Sequence, residues 1–315
     1  MVAADPRRRR PHAPVAARAV LAAAAPYHLA RTLSCGQAFG WRCDGPRAAA
    51  AFAGRPVELE QRGEQILVAG LDDDIALRRL RHYLQVDAPL AEIEAALGRD
   101  RVLRTVVPCT SGIAILRQDP WQCLVSFIVS AFNNIPKIER TLEKLTARFG
   151  EPGPGGVRGF PSPGALAAAS PAALRGCMLG YRAPYVRDAA RLVARGAFDL
   201  DGPGFASYDQ ARAMLLELPG VGEKVVDCVL LFAYGKGEAF PVDVWVKRAV
   251  ERSYFAGRPR SEREIRAFAR QRFGPLAGYA QQHLFYYYRV LGGPAHRRLT
   301  AAGGRRRTAR SPRSR

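Results

Sequence analysis

Three features of this 315-residue sequence predict an α+β protein that is mainly α: strand-like runs confined to the stretch before Asp72, a switch to helical spacing after it, and repeated helix-start signals from Asp119 onward. The strand-like runs cover 39–42, 48–52, 56–60 and 65–68 and are separated by Gly, Pro and Asp, which predicts a modest antiparallel sheet. After Asp72 the spacing of Ile75, Leu77, Leu80, Tyr83 and Leu84 gathers apolar side chains on one broad helical face. Asp119-Pro120 then sets a capping acceptor before a proline at the first helical position, and Ser162-Pro163 and Ser170-Pro171 repeat the device. Ser261 and Glu264 form a capping box ahead of a helix over 265–273, and the Pro/Gly-rich stretch 151–163 reads as a loop. These signals divide the chain into a disordered basic arm (1–25), an N-terminal antiparallel β domain with a helical extension (26–115), a helical core (116–293) and a disordered Arg-rich tail (294–315).

Composition narrows the partners. At 48% apolar residues the chain can bury substantial cores, yet no apolar run approaches the roughly 20 residues that span a bilayer, so no membrane partner is expected. Arg18 interrupts the alanine-rich stretch 16–25, which makes a poor signal-peptide core; the Arg-rich, acid-poor start resembles a transit peptide in composition but reads better as a basic arm. The formal charge of +20 points to a polyanion. Much of it sits in the tails, in Arg7 to Arg10 and in Arg297, Arg298, Arg305, Arg306, Arg307, Arg310, Arg313 and Arg315. Cys35, Cys43, Cys109, Cys123, Cys177 and Cys228 form no CxxC pair, so neither a zinc ribbon nor a compact cluster site is indicated, and scattered thiols fit a reducing, intracellular setting.

The chemistry is concentrated in Leu218-Pro219-Gly220-Val221-Gly222-Glu223-Lys224-Val225-Val226-Asp227-Cys228. A proline and two glycines between apolar helices make a tight hairpin, and the second helix presents its first N–H groups and positive dipole end outward, which suits a DNA phosphate. A Pro-Gly-x-Gly turn alone is as often a plain helix connection. Lys224 sharpens the reading. The chain uses arginine 43 times and lysine five times, so an amine at this helix start suggests nucleophilic chemistry that a guanidinium cannot perform, against the plainer role of a phosphate contact. Asp243, in Pro241-Val242-Asp243, is a natural helix N-cap that could also face a cationic sugar transition state. Cys228 lies four residues after Lys224 on the same helix face, where a packing cysteine is the default and a pocket-lining one is possible in register.

Taken together, these elements resemble the helix–hairpin–helix DNA glycosylases, and more narrowly the 8-oxoguanine DNA glycosylase/AP lyase family. The likeness runs from about Tyr27 to Gly293 and omits both basic tails. It rests on Ser34-Cys35-Gly36-Gln37-Ala38-Phe39, Leu116-Arg117-Gln118-Asp119-Pro120, Asn133-Asn134-Ile135, Gly180-Tyr181-Arg182, the Lys224 hairpin, Pro241-Val242-Asp243 and Gly278-Tyr279-Ala280-Gln281, in order and at similar spacing.

The resemblance implies base flipping, attack of Lys224 on C1′ of the damaged nucleotide, a Schiff base and β-elimination, with Asp243 stabilising the oxocarbenium-like transition state. It implies that the Gly36 carbonyl accepts the N7–H of oxidised guanine, that Gln281 binds the Watson–Crick edge, and that Phe285 and Cys228 sandwich the ring. Asn133, Lys137, Tyr181, Arg182, Gly220 and Gly222 fall at DNA-facing positions: Lys137 and Arg182 at the orphaned cytosine, Tyr181 as a wedge. It implies no cofactor beyond a monovalent cation at the backbone carbonyls of Leu218 and Val221, a monomer as the working form, and double-stranded DNA containing oxidised guanine as the partner.

Two positions depart from the family pattern. Phe132 stands where an asparagine would fill the vacated stack and touch cytosine, and Trp245 stands where the eukaryotic type carries a phosphate-binding histidine. A monofunctional alkylbase glycosylase would share the fold and the aspartate but not the lysine. A noncatalytic helix–hairpin–helix DNA-binding protein would need the hairpin but not Lys224, Asp243 and a base pocket together.

Overall fold

The computed structural model describes residues 19–293; the basic arm up to residue 18 and the Arg-rich tail from residue 294 lie outside the described residues. Strands β1 (Ala19–Ala22), β2 (Arg42–Asp44), β3 (Arg47–Phe52), β4 (Arg55–Arg62) and β5 (Gln65–Ala69) form one antiparallel sheet in the order β1-β5-β4-β3-β2. The register aligns Leu59 with Ala48 on one side and Val68 on the other, and all three are buried, so alternation along each strand becomes one apolar row across the sheet.

Two boundaries differ from the sequence expectation. Residues 19–22, placed in the arm, are the edge strand β1, with Leu21 buried against the sheet. Alanine-rich sequence carries little strand signal of its own, and pairing with β5 supplies the structure. The strand expected at 39–42 begins instead at Arg42, because Gly40 adopts φ +100 and breaks the extended run.

The short helix α1 (Leu29–Ser34) connects β1 to β2, and the sheet is followed by α2 (Asp74–Leu84), α3 (Leu90–Leu97) and α4 (Leu103–Thr110). Helix α2 buries Ala76, Leu80 and Leu84 while Ile75 is exposed, so its apolar face is rotated slightly from the one the spacing suggested. Ala114 and Leu116 complete the core under the sheet. Leu97, Leu103, Val106 and Val107, from the end of α3 and from α4, pack instead with C-terminal helices.

The remaining helices are α5 (Pro120–Ser130), α6 (Ile135–Phe149), α7 (Pro163–Ala168), α8 (Pro171–Gly176), α9 (Ala183–Ala194), α10 (Gly202–Phe205), α11 (Tyr208–Leu216), α12 (Glu223–Phe232), α13 (Val244–Tyr254), α14 (Glu262–Phe273) and α15 (Ala277–Phe285). Their starts follow the sequence signals: Asp119, Ser162 and Ser170 each accept a first-turn N–H, and Ser261 and Glu264 close a reciprocal capping box.

Helix α12 is the axis of the larger helical core. From Val225 to Phe232 every residue is buried, so only its first turn reaches the surface. Gly278 brings α15 directly against it: a Cβ at that position would lie 2.2 Å from Leu231 Cδ1. No helix of the described residues is long and apolar enough to cross a membrane.

Candidate active site

The hairpin between α11 and α12 is shaped by its glycines. Gly220 sits at φ +77 with Tyr185 pressed against it, where a Cβ would come within 2.5 Å of the tyrosine Cβ. The Val221 N–H donates to the Leu218 carbonyl at 3.2 Å and closes the turn. Gly222, the N-cap of α12, is exposed, brings no side chain to the helix end, and has open space where a Cβ would be. The first N–H groups of α12 therefore point at the surface without a side-chain cap, an arrangement suited to an anionic group.

Lys224 lies in that first turn and is half-buried. Its Nζ donates to Ser130 Oγ at 2.8 Å and stands 4.9 Å from the centre of the Phe127 ring, both groups supplied by α5. Among the described residues it forms no ion pair. Cys228 lies one turn further along α12; burial pushes its thiol up to about 12, opposed in part by the lysine charge. A thiol held neutral in this way is a poor nucleophile and serves as a polarizable wall.

Asp243 caps α13, its Oδ1 accepting the Val246 N–H at 2.8 Å. Burial raises its carboxyl above the ordinary 3.8, while the Val246 N–H and the charges of Lys224 and Arg289 pull the other way. Amine, thiol and carboxyl are thus brought from two helices to one place. Beside them Trp245 is partly exposed, with the Arg289 guanidinium 5.7 Å from its ring.

A second wall comes from the loop after α1. Gly36 adopts φ +83, and a Cβ there would meet Phe285 Cε1 at 3.0 Å, so the glycine backbone and the Phe285 ring are close neighbours. The loop is held rigidly on both sides. Gln282 Nε2 donates to the Cys35 carbonyl at 2.8 Å, and Gln37 Nε2 donates to the carbonyls of Thr32 and Ala114 at 2.9 and 2.8 Å. Leu116 N–H donates to Gln37 Oε1 at 2.9 Å. One turn before Phe285, Gln281 is 4% exposed and its Oε1 has no hydrogen-bond partner. A buried acceptor left unmet costs about 1–3 kcal/mol, so an incoming donor at this position would be favoured.

The turn after α5 collects the residues expected to face DNA. Asn133 Nδ2 donates to the Val129 carbonyl at 3.1 Å and its Oδ1 accepts the Asn134 N–H at 3.0 Å, so its side chain builds the turn. Lys137 is exposed on the first turn of α6. Tyr181 is 56% exposed at the opposite lip, with its hydroxyl 3.4 Å from the Ala131 carbonyl. Arg182, which the resemblance puts at the orphaned cytosine, is directed at the same turn. It is 5% exposed, stacks on Tyr181, and donates through Nε to the Ala131 carbonyl at 2.9 Å and through Nη2 to the Phe132 carbonyl at 3.1 Å. The reason is local: these backbone carbonyls leave the helix without continuing partners and need donors.

Sequence reasoning missed Ser130 and Phe127, the residues that hold the lysine. Their signal was faint, an i, i+3 pair inside an otherwise apolar helix. It also missed Gln282, whose neighbour Gln281 had drawn attention. Among the described residues no group of three or more His, Cys, Asp or Glu is placed to hold a metal ion.

A lysine delivered by a glycine hairpin beside a partly buried aspartate defines a base-excision glycosylase of the helix–hairpin–helix class. Residues 125–275 match the HhH-GPD superfamily of base excision DNA repair proteins, and residues 19–124 match the N-terminal domain of 8-oxoguanine DNA glycosylase. The chain belongs to the 8-oxoguanine DNA glycosylase family. A probable N-glycosylase/DNA lyase of Methanothermobacter thermautotrophicus is 34% identical over 216 residues, covering 61% of this chain and 69% of that protein. The structure of MBOgg1 in complex with a low-affinity DNA ligand superposes with TM-score 0.82 at 34% identity, covering 87% of this chain and 96% of that one. The Clostridium acetobutylicum 8-oxoguanine glycosylase/lyase, in complex with double-stranded DNA containing cytosine opposite 8-oxoguanine, gives TM-score 0.80 at 32% identity, with coverage of 84% and 93%.

Proposed function

We propose that this protein excises 8-oxoguanine from duplex DNA and then cleaves the strand, with Lys224 as nucleophile and Asp243 as its essential carboxylate. The observation that carries the reading is the Lys224 amine, held by Ser130 at 2.8 Å beside Cys228 and near Asp243, with no ion-pair partner among the described residues. The neutral amine attacks C1′; the N–C1′ bond forms as the bond to N9 breaks, and the departing base takes the electron pair and later a proton. Asp243, as carboxylate, faces the positive charge that develops on the sugar ring. Opening of the ring gives an iminium at C1′, loss of a C2′ proton follows, and the 3′ phosphate leaves by β-elimination.

Recognition is assigned to the second wall. Oxidised guanine carries an N7–H that guanine lacks, and the rigid Gly36 carbonyl is the group we assign to accept it. The unmet Gln281 Oε1 takes a donor from the Watson–Crick edge, while Phe285 and Cys228 close on the ring. The hairpin, with Gly220 and Gly222, engages the phosphate backbone, and the exposed Lys137 is assigned to the orphaned cytosine. The Leu218 carbonyl accepts the Val221 N–H at 3.2 Å, and with the Val221 carbonyl it is assigned to a monovalent cation, which would add positive charge at the hairpin. The enzyme acts inside the cell as a monomer on double-stranded DNA.

Borohydride trapping on an 8-oxoguanine duplex tests the nucleophile. Wild type is expected to give a covalent protein–DNA band that Lys224→Gln does not give; normal trapping by that variant overturns the assignment. Asp243→Asn is expected to lose base excision, and because burial raises this carboxyl, the acid limb of wild-type excision falls above pH 3.8.

A further inference from the structure

We propose that Phe132 is an apolar plug that enters the base stack when the damaged nucleotide leaves it, and that this plug makes the enzyme tolerant of the opposing base. The inference rests on the excision activity proposed above and adds a specificity-determining residue to it. Phe132 is 100% exposed, the most exposed large apolar side chain among the described residues. Its backbone lies at φ +47, a left-handed conformation that side chains of this bulk seldom adopt. Such a conformation persists only where its surroundings impose it, and here they do. Arg182 holds the carbonyls of Ala131 and Phe132 itself, and Asn133 ties the other flank to Val129 and Asn134. A solvent-facing phenyl ring on a braced, strained turn is set up to meet something planar.

Its place in the site says what that is. Ser130, which holds the Lys224 amine, stands two positions before Phe132 on the same chain segment. Tyr181, also exposed, hangs over the same turn with its hydroxyl on the Ala131 carbonyl. A nucleotide swung towards Lys224 therefore leaves its gap beside these two rings. Phenylalanine can stack in that gap against either neighbouring base pair, but it has no donor or acceptor with which to select the base left opposite. Arg182 has its Nε and Nη2 committed to the turn, which leaves the single exposed amine of Lys137 to meet the orphaned base. Phe132 thus favours flipping and leaves opposing-base choice weak.

The test uses the full chain with 8-oxoguanine placed opposite C, A, G and T, and with a preformed abasic site, under single-turnover conditions. Phe132→Ala is expected to slow excision opposite all four bases by about tenfold or more, the equivalent of about 1.4 kcal/mol in the barrier, while cleavage of the abasic duplex changes by less than about threefold. Phe132→Asn, which restores hydrogen-bonding groups and suits a left-handed backbone, is expected to raise the C-over-A excision ratio by about tenfold over wild type. The plug is overturned if Phe132→Ala excises as fast as wild type or loses excision and abasic cleavage equally. The tolerance is overturned if Phe132→Asn leaves the C-over-A ratio unchanged. Wild type failing to excise from any of the four duplexes would instead overturn the activity itself.

Discussion

Helix α12 begins with two parallel i, i+4 pairs that the fold treats in opposite ways. One stripe carries Glu223 and Asp227, like charges that would repel if left alone. Arg212 and Arg266 both reach Glu223, Arg266 Nε lies 3.9 Å from Asp227 Oδ2, and the Tyr208 hydroxyl donates to Asp227 Oδ1 at 2.9 Å. The neighbouring stripe carries Lys224 and Cys228. Its amine is met by a hydroxyl, an aromatic ring and a neutral thiol, and among the described residues no carboxylate closes on it as a salt bridge. One stripe anchors the helix by neutralising its charges; the other leaves a reactive group unneutralised. Stability and reactivity are separated by less than a third of a turn of one helix.

The largest expected effect comes from changing the reactive stripe without changing its charge. Lys224→Arg keeps a cation at the head of α12 but removes the amine, and trapping is expected to fall by about a thousandfold or more. DNA affinity, measured on an abasic-site analogue, should stay within about tenfold of wild type, since the charge and the hairpin remain. Retained trapping would mean that the nucleophile lies elsewhere. Cys228→Leu is the next step down. Added bulk in a closely packed wall costs about 1–3 kcal/mol and narrows the space left for a base. Excision of 8-oxoguanine should drop by about tenfold or more, while cleavage at a preformed abasic site, which needs no base in the pocket, should fall less. Equal losses in both assays would place Cys228 outside the base pocket.

The two stripes were not equally legible in the sequence. Lys224 stood out because the chain is otherwise so rich in arginine, and Cys228 followed from helical spacing. The helix caps at Asp119, Ser162, Ser170, Ser261 and Asp243 were equally plain, because a cap is a local interaction between near neighbours in the chain. Asp227 attracted no attention. Its partners come from positions 208 and 266, and nothing local marks a carboxylate that will be fully buried. The same holds for Ser130, which reaches Lys224 across 94 positions of sequence. The edge strand β1 was hidden for a related reason, since an alanine-rich segment becomes a strand only when β5 is there to pair with it. Arg182 was legible as an important residue but not in its orientation, which is decided by carbonyls at 131 and 132.

The smallest effect on activity, and the sharpest test of the separation, comes from Asp227→Asn. Burial pushes the Asp227 carboxyl up to about 6 from an ordinary 3.8, and the Tyr208 hydroxyl and nearby arginines offset only part of that. Below pH 3.8 the group is protonated in both folded and unfolded chains, so its contribution to stability is fully present. Between 3.8 and about 6 the unfolded chain ionises first, and stability is lost as pH rises through that window. The interval corresponds to on the order of 3 kcal/mol between its ends. Plotted against pH, the difference in unfolding free energy between wild type and Asp227→Asn should therefore slope against wild type from pH 4 to 6 and flatten above it. Excision per folded molecule at pH 7 should change by less than about threefold, because Asn still accepts the Tyr208 hydroxyl and Glu223 still holds both arginines. A flat difference curve would mean that Asp227 ionises as freely folded as unfolded. A large loss of excision with stability intact would mean that the anchoring stripe sets the reactivity of Lys224 as well as the position of its helix.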